Sequence, residues 1–182
     1  GCASSFRRGR FEFETALHEI CEWGTAENPG GCRKIVVDTF GTEGDWLMVP
    51  DNFRVITTAS DGKTHIDATL PCSVKAFVDA MEKYVPGSRD SVKAFFETDE
   101  KVGKALKIMS GNGKISDLLK GAGDFMRTAS HSAEDVERAL GMPQKAMDIL
   151  NTYWCYLGVP TDELNAMHYM SMVGTYTSKR PA

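Results

Sequence analysis

Excess positive charge is missing from this sequence. Twenty-one Lys and Arg stand against 25 Asp and Glu, giving a formal net charge of -4 and a pI near 5.6. Nucleic-acid binding needs a basic footprint, so that class of partner is excluded. Arg7, Arg8 and Arg10 form a dense basic cluster, but a local one. No apolar run approaches the roughly 18 residues that a membrane-spanning helix requires. The first ten residues carry three arginines with no apolar stretch after them, which is not a secretory signal.

Metal and phosphate motifs are absent as well. The five cysteines (Cys2, Cys21, Cys32, Cys72, Cys155) are odd in number, irregularly spaced and without a CxxC pair. That argues against a zinc site or a disulfide framework and for a reduced, cytoplasmic thiol set. His18, His65, His131 and His168 form no HxH or HxxxH pair, so no metal site is expected. Gly111-Asn112-Gly113-Lys114 lacks the upstream glycine of a P-loop and places Ile115 where Ser or Thr must ligate magnesium; it reads as a helix break. Gly121-Ala122-Gly123 follows a helical pattern and not a strand, so it is no dinucleotide turn.

What remains is ordinary globular material. Hydrophobic residues make up 42% of the 182 and charged residues 25%, which suits one domain with room for a small subdomain. Such a chain buries roughly two-thirds or more of its unfolded surface and needs no staples. Arg10 to Glu14 alternates in period two and reads as a short strand with Phe11 and Phe13 on one face. Asn28 to Gly31 is a loop; Lys34 to Phe40, closed by Gly41, is a short apolar run that fits either a strand or a helix, with helix the preferred reading. Trp46–Val49, Phe53–Thr58 and His65–Leu70 read as three extended segments of a small antiparallel sheet. Ser60-Asp61-Gly62-Lys63 supplies the turn between the last two, because Gly tolerates positive φ. His65 falls at a surface or edge position of this sheet.

From Ser73 the period becomes helical. Ser73 caps a helix to about Tyr84, and Pro86-Gly87-Ser88 ends it. A longer helix opens at Asp90 or Ser91 with Val92, Phe95, Phe96, Val102, Leu106 and Met109 on one stripe. Helices follow over Ile115–Thr128, from the cap at Ser132, over Lys145–Leu157 and over Asp162–Val173, with Gly141 and Pro143 marking a stop and restart. Strands followed by a run of helices give an α+β fold: a small antiparallel sheet with a following helical bundle.

Two clusters are candidates for chemistry. Met167, Met170 and Met172 lie close to Tyr169, with Tyr153, Trp154 and Tyr156 upstream. Flexible, polarizable methionine suits a pocket for a bulky apolar ligand, although the same spacing also describes plain helix-packing core. At the N-terminus, Gly1, Ser4, Ser5 and the arginines precede the Phe11–Phe13 strand, and turn amides with arginine beside them suit diphosphate oxygens.

Residues 1–18, Gly1-Cys2-Ala3-Ser4-Ser5-Phe6-Arg7-Arg8-Gly9-Arg10-Phe11-Glu12-Phe13-Glu14-Thr15-Ala16-Leu17-His18, resemble a segment of the phytoene dehydrogenase-like FAD oxidoreductases. That group includes carotenoid desaturases and isomerases and retinol saturases. The segment is the one that follows their first strand–helix–strand unit. Tyr84-Val85-Pro86-Gly87-Ser88, Ala94-Phe95-Phe96 and Leu157-Gly158-Val159-Pro160 resemble later elements in the same order. Cys2, Glu14 and Ala16 stand where the family has Arg, Asp and Gly.

The resemblance implies that Gly1, Ser4, Ser5 and Arg7 or Arg8 lie near the flavin diphosphate, and Glu14 to His18 near the flavin edge. Residues 1–20 then correspond to the FAD-binding domain and residues 21–182 to a substrate domain, with its sheet at about 45–70 and its helices at about 73–173. Met167, Met170, Tyr153 and Trp154 are the candidates to hold a hydrophobic, polyene-like substrate. No general acid–base pair is evident, which fits hydride transfer by a flavin. The start at Gly1-Cys2 without an initiator methionine fits a middle domain of a larger, cytoplasmic enzyme, inactive by itself. The alternative is a stand-alone, non-enzymatic module that binds a hydrophobic ligand or a partner helix.

Overall fold

The computed structural model describes residues 5–13, 20–42, 44–109, 111 and 115–178. The chain divides into two units, one reaching to Val49 and the other spanning Pro50–Ser178. In the first, β1 (Phe6–Arg8) and β2 (Phe11–Phe13) form an antiparallel hairpin with Phe6 opposite Phe13. The rings of Phe6 and Phe13 stack with centroids 5.1 Å apart. Helix α1 (Gly31–Phe40) forms where a helix was expected and ends at Gly41 in the left-handed conformation. Trp23 is buried, with 4% of its surface exposed.

Trp46–Val49 is not a strand. Pro50 has no N–H to donate to a ladder, and no described segment pairs with this stretch. Trp46 instead lies against Trp23, centroids 4.0 Å apart. The expected three-segment sheet is therefore the two-stranded pair β3 (Asp51–Thr58) and β4 (His65–Pro71), antiparallel, with Val55 opposite Ala68 and a register shift between Asp51 and Phe53. Asp61 builds the turn: its carboxylate accepts the Lys63 and Thr64 amides at 2.8 Å each. These bonds, led by that from the Thr64 hydroxyl, pull its pKa down to about 2. His65 is exposed.

Helices fill the rest of Pro50–Ser178, so the fold is α+β. Ser73 caps α2 (Val74–Tyr84) through the Ala76 amide, and Phe77, Val78 and Met81 give that helix a buried face. Along α3 (Arg89–Met109), Val92, Phe95, Phe96 and Val102 are buried as their spacing requires, whereas Leu106 is half-buried and Met109 exposed. Helix α4 is Ile115–Ser130.

At α5 (Ala133–Ala139), Ser132 and Asp135 exchange bonds of 3.1 and 3.3 Å in a capping box. Ser132→Ala is expected to lower stability by about 1 kcal/mol, read as a shift in the denaturation midpoint at constant slope.

Helix α6 (Gln144–Leu150) follows Pro143, and the expected helix to Leu157 tightens after Leu150 into a 3-10 helix, Asn151–Tyr156. The last helix, α7 (Ala166–Ser178), starts four residues later than its periodicity suggests and runs beyond Val173. Residues before it are held elsewhere: the Ala133 amide donates to Leu164 O at 2.8 Å and the Ala166 amide to His131 O at 3.0 Å.

The core lies where β3, β4, α2, α3 and α7 meet. Phe77, Phe95, Leu70, Met81, Tyr169 and Met170 are fully buried there. Edge-to-face rings join Phe53 to Phe77, Phe77 to Phe96 and Phe95 to Tyr169. No helix among the described residues is long and apolar enough to cross a membrane.

Candidate functional site

The expected flavin-contact set falls partly outside the described residues, which exclude Gly1, Ser4, Glu14 and His18. Ser5, Arg7 and Arg8 are described and exposed. The short β1–β2 turn through Gly9, with φ of 61°, sets Arg7 across from Glu12. Arg7 donates to the Glu12 carboxylate at 2.8 and 3.2 Å. Arg8 lies over the Phe6 ring at 5.5 Å and Arg10 over Phe11 at 5.0 Å. An anion reaching Arg7 has to displace Glu12, and an exposed ion pair resists that by no more than about 1 kcal/mol.

The Met and aromatic candidates do not share one environment. Met170 and Tyr153 are buried in the core, Met167 is half-buried, and Trp154 is 44% exposed. Tyr153 stacks on Tyr156 and Tyr176 and donates its hydroxyl to Asn52, at 2.6 Å to Oδ1 and 3.0 Å to the main-chain carbonyl. Asn52 in turn donates to Thr177 Oγ1 at 2.7 Å. The Asn52 register shift, the 3-10 helix and α7 are thus tied by one buried network. Packing is the role the structure gives to Tyr153 and Met170.

Trp154 borders a concavity of about 1050 Å³ between β3 and the α5–α6 region. Its polar lining is connected internally. Arg138 donates to Glu134 and, at 3.2 Å, to Gln144, and Gln144 donates to Asp148 at 3.0 Å. Asp148 also accepts from the Ser60 amide at 2.9 Å and from the Ser60 hydroxyl. Sequence periodicity did not single out this groove, because it arises from residues nearly one hundred positions apart in the chain.

Behind the groove is a group that the sequence reading passed over. Glu137, on α5, is fully buried; Asn151 donates to its Oε2 at 3.0 Å, and its Oε1 has no hydrogen-bond partner. Burial, opposed by the Asn151 bond and aided by Glu134, pushes its pKa up to about 8. Tyr169 completes the arrangement, donating to Leu150 O at 2.9 Å and lying 3.0 Å from Asn151 Oδ1. A Glu inside an α5 helix that otherwise reads as charged surface offered only one signal: it lies next to Val136 on the buried side of a short helix.

No group of three His, Cys, Asp or Glu among the described residues is placed to hold a metal ion. No family of known proteins, no curated protein and no solved structure matches the chain.

Proposed function

We propose that the chain is the substrate-binding middle domain of an FAD-dependent oxidoreductase of the phytoene dehydrogenase-like kind, acting on a hydrophobic, polyene-like substrate in the cytoplasm. One contrast carries this reading. Pro50–Ser178 closes a core of its own, whereas Trp23 is the one fully buried residue among those described up to Val49. In that first unit Phe6, Phe11, Phe13, Ile35 and Phe40 are exposed, and Leu47 is 87% exposed. Of these, Phe6, Phe11 and Phe13 lie together in one exposed aromatic cluster, and a cluster of that kind suits a covering partner. In this reading the flavin-binding remainder covers it and brings FAD to Ser5, Arg7 and Arg8.

FAD would supply the hydride chemistry. The chain's own residues bind and orient: Arg7 and Arg8 neutralise diphosphate charge, and Trp154 offers an aromatic wall. Tyr153 and Met170 hold the scaffold behind that wall. Their burial takes Tyr153 and Met170 out of direct ligand contact here, as it would in a stand-alone module for a hydrophobic ligand or partner helix.

Arg7→Ala in the natural polypeptide that contains this sequence is expected to weaken FAD retention about tenfold or more, as loss of a charge-assisted hydrogen bond does. Arg10→Ala should leave it unchanged. Equal FAD affinity in the native protein, Arg7→Ala and Arg8→Ala would count against the reading.

A further inference from the structure

The groove beside Trp154 holds a set of hydrogen-bonding atoms that the proposed activity does not use. Arg138 gives Nε and Nη2 to Glu134 Oε1, and Nη2 also to Gln144. Its Nη1, with two N–H groups, has no partner among the described residues, and neither has Glu134 Oε2. Arg54 gives Nε and Nη2 to the two oxygens of Asp67 at 2.8 and 2.7 Å, which again leaves Nη1. Asp148 takes the Ser60 hydroxyl and Gln144 on Oδ1 but only the Ser60 amide on Oδ2. A carboxylate oxygen has two lone pairs, so Oδ2 can accept once more. Arg54, Glu134, Arg138 and Asp148 all line the concavity of about 1050 Å³. Open donors and open acceptors therefore alternate along it.

Charge in this lining is already answered. Arg138 is paired with Glu134 and Arg54 with Asp67. Asp61 is closed by the amides and hydroxyl of its own turn, with Lys145 beside it, and Asp148 by Ser60 and Gln144. An anion, which only accepts, would meet the carboxylates of Asp61, Glu134 and Asp148. A cation, which only donates, would meet two guanidinium groups. A hydroxyl does both through one atom: it donates to a carboxylate and accepts from a guanidinium N–H.

We propose that this groove binds a neutral, hydroxyl-rich ligand, a short oligosaccharide, with one ring against Trp154 and its hydroxyls shared between Arg138, Glu134 and Asp148. A sugar ring carries hydroxyls at its rim and C–H groups on its faces. Trp154 and Ile56 are large apolar residues left exposed in an otherwise polar lining, and they suit such a face. The C–H groups pack on the negative face of the indole. The volume lies at the upper end of small-molecule sites, which gives room for more than one ring. The polar side chains are also pre-set. Arg138, Gln144, Asp148 and Ser60 form one hydrogen-bonded chain from α5 through α6 to the β3–β4 turn, so binding has little left to order. The proposal goes beyond the oxidoreductase reading and shares only Trp154 with it, since an indole face accepts a polyene or a sugar face alike.

NMR titration of the 182-residue chain with maltotriose, cellotriose, mannotriose and triacetylchitotriose tests the groove. At least one should shift the Trp154 indole N–H signal saturably, with a Kd of about 1 mM or tighter, and leave that of Trp23 unmoved. The affinity should hold as salt is raised, because no net charge is matched. Followed on the sugar signals, Trp154→Ala and Arg138→Met should each weaken binding about tenfold, and Met126→Ala should not. No binding by any of the four overturns the proposal. So does binding that Trp154→Ala and Arg138→Met leave intact, or affinity that collapses in salt. Saccharide binding by a chain whose natural polypeptide takes up no FAD would keep the groove and remove the oxidoreductase reading; FAD uptake with no saccharide bound would do the reverse.

Discussion

Glu137→Gln is expected to stabilise the protein at alkaline pH by about 3–5 kcal/mol. In the native state burial holds the Glu137 carboxyl protonated up to about pH 8, against an ordinary value of 4.5. Between those values the unfolded chain has lost the proton that the native state keeps. The unfolded state therefore binds fewer protons, and stability falls as pH rises from about 4.5 to 8, then levels. Among the described residues no cation hydrogen-bonds the carboxyl: Asn151 is its donor, Glu134 opposes its ionisation, and Arg138, whose charge favours ionisation only weakly, spends its guanidinium on Glu134 and Gln144. Glutamine keeps an oxygen for Asn151 and removes the ionisation. Urea denaturation of both proteins from pH 4 to pH 9 checks this: the two curves should coincide near pH 4 and diverge upward from there. Parallel curves across the range would show that Glu137 is ionised at little cost.

Phe77→Ala should lower stability by about 3–5 kcal/mol, which is much of the total for a unit of this size. Phe77 is fully buried and meets Phe53 and Phe96 edge to face, at 6.1 and 5.3 Å between centroids. It is the ring through which β3, α2 and α3 are joined, so its loss leaves a cavity that three elements must close at once. Phe77→Leu should recover most of the loss, because it restores volume and gives up only ring geometry. Met126→Ala, at an exposed position, should change stability by less than about 0.5 kcal/mol. Denaturation midpoints at unchanged slope give all three values.

Local chemistry was the legible part of this fold. Ser73, Ser132, Asp61 with Gly62, and the Gly141–Pro143 pair each act within a few residues, and each sits where its residue type requires. The period of Val92, Phe95, Phe96 and Val102 likewise identified a buried face before any partner was known. Where long-range pairing decides, the pattern misled. Trp46–Val49 has strand composition but no strand beside it, and Asp162–Asn165 has helical spacing but is held by Ser132 and Ala133.

The site was less legible than the fold. Met170 and Trp154 have the same apolar character in sequence, yet one is core and the other borders a groove, because burial depends on where the 3-10 helix leaves α6. The groove itself joins Arg54–Thr57 to Gln144–Trp154, and Glu137 of α5 is buried near Asn151 and Tyr169, the latter from α7. Neither arrangement has a short-range signature.

The central claim concerns FAD, and the absorbance spectrum of the natural polypeptide tests it most directly. Purified and equilibrated with excess FAD, then freed of unbound cofactor, that polypeptide should be yellow with flavin bands, while the 182-residue chain treated the same way stays colourless. A natural polypeptide that remains colourless after this treatment would contradict the account.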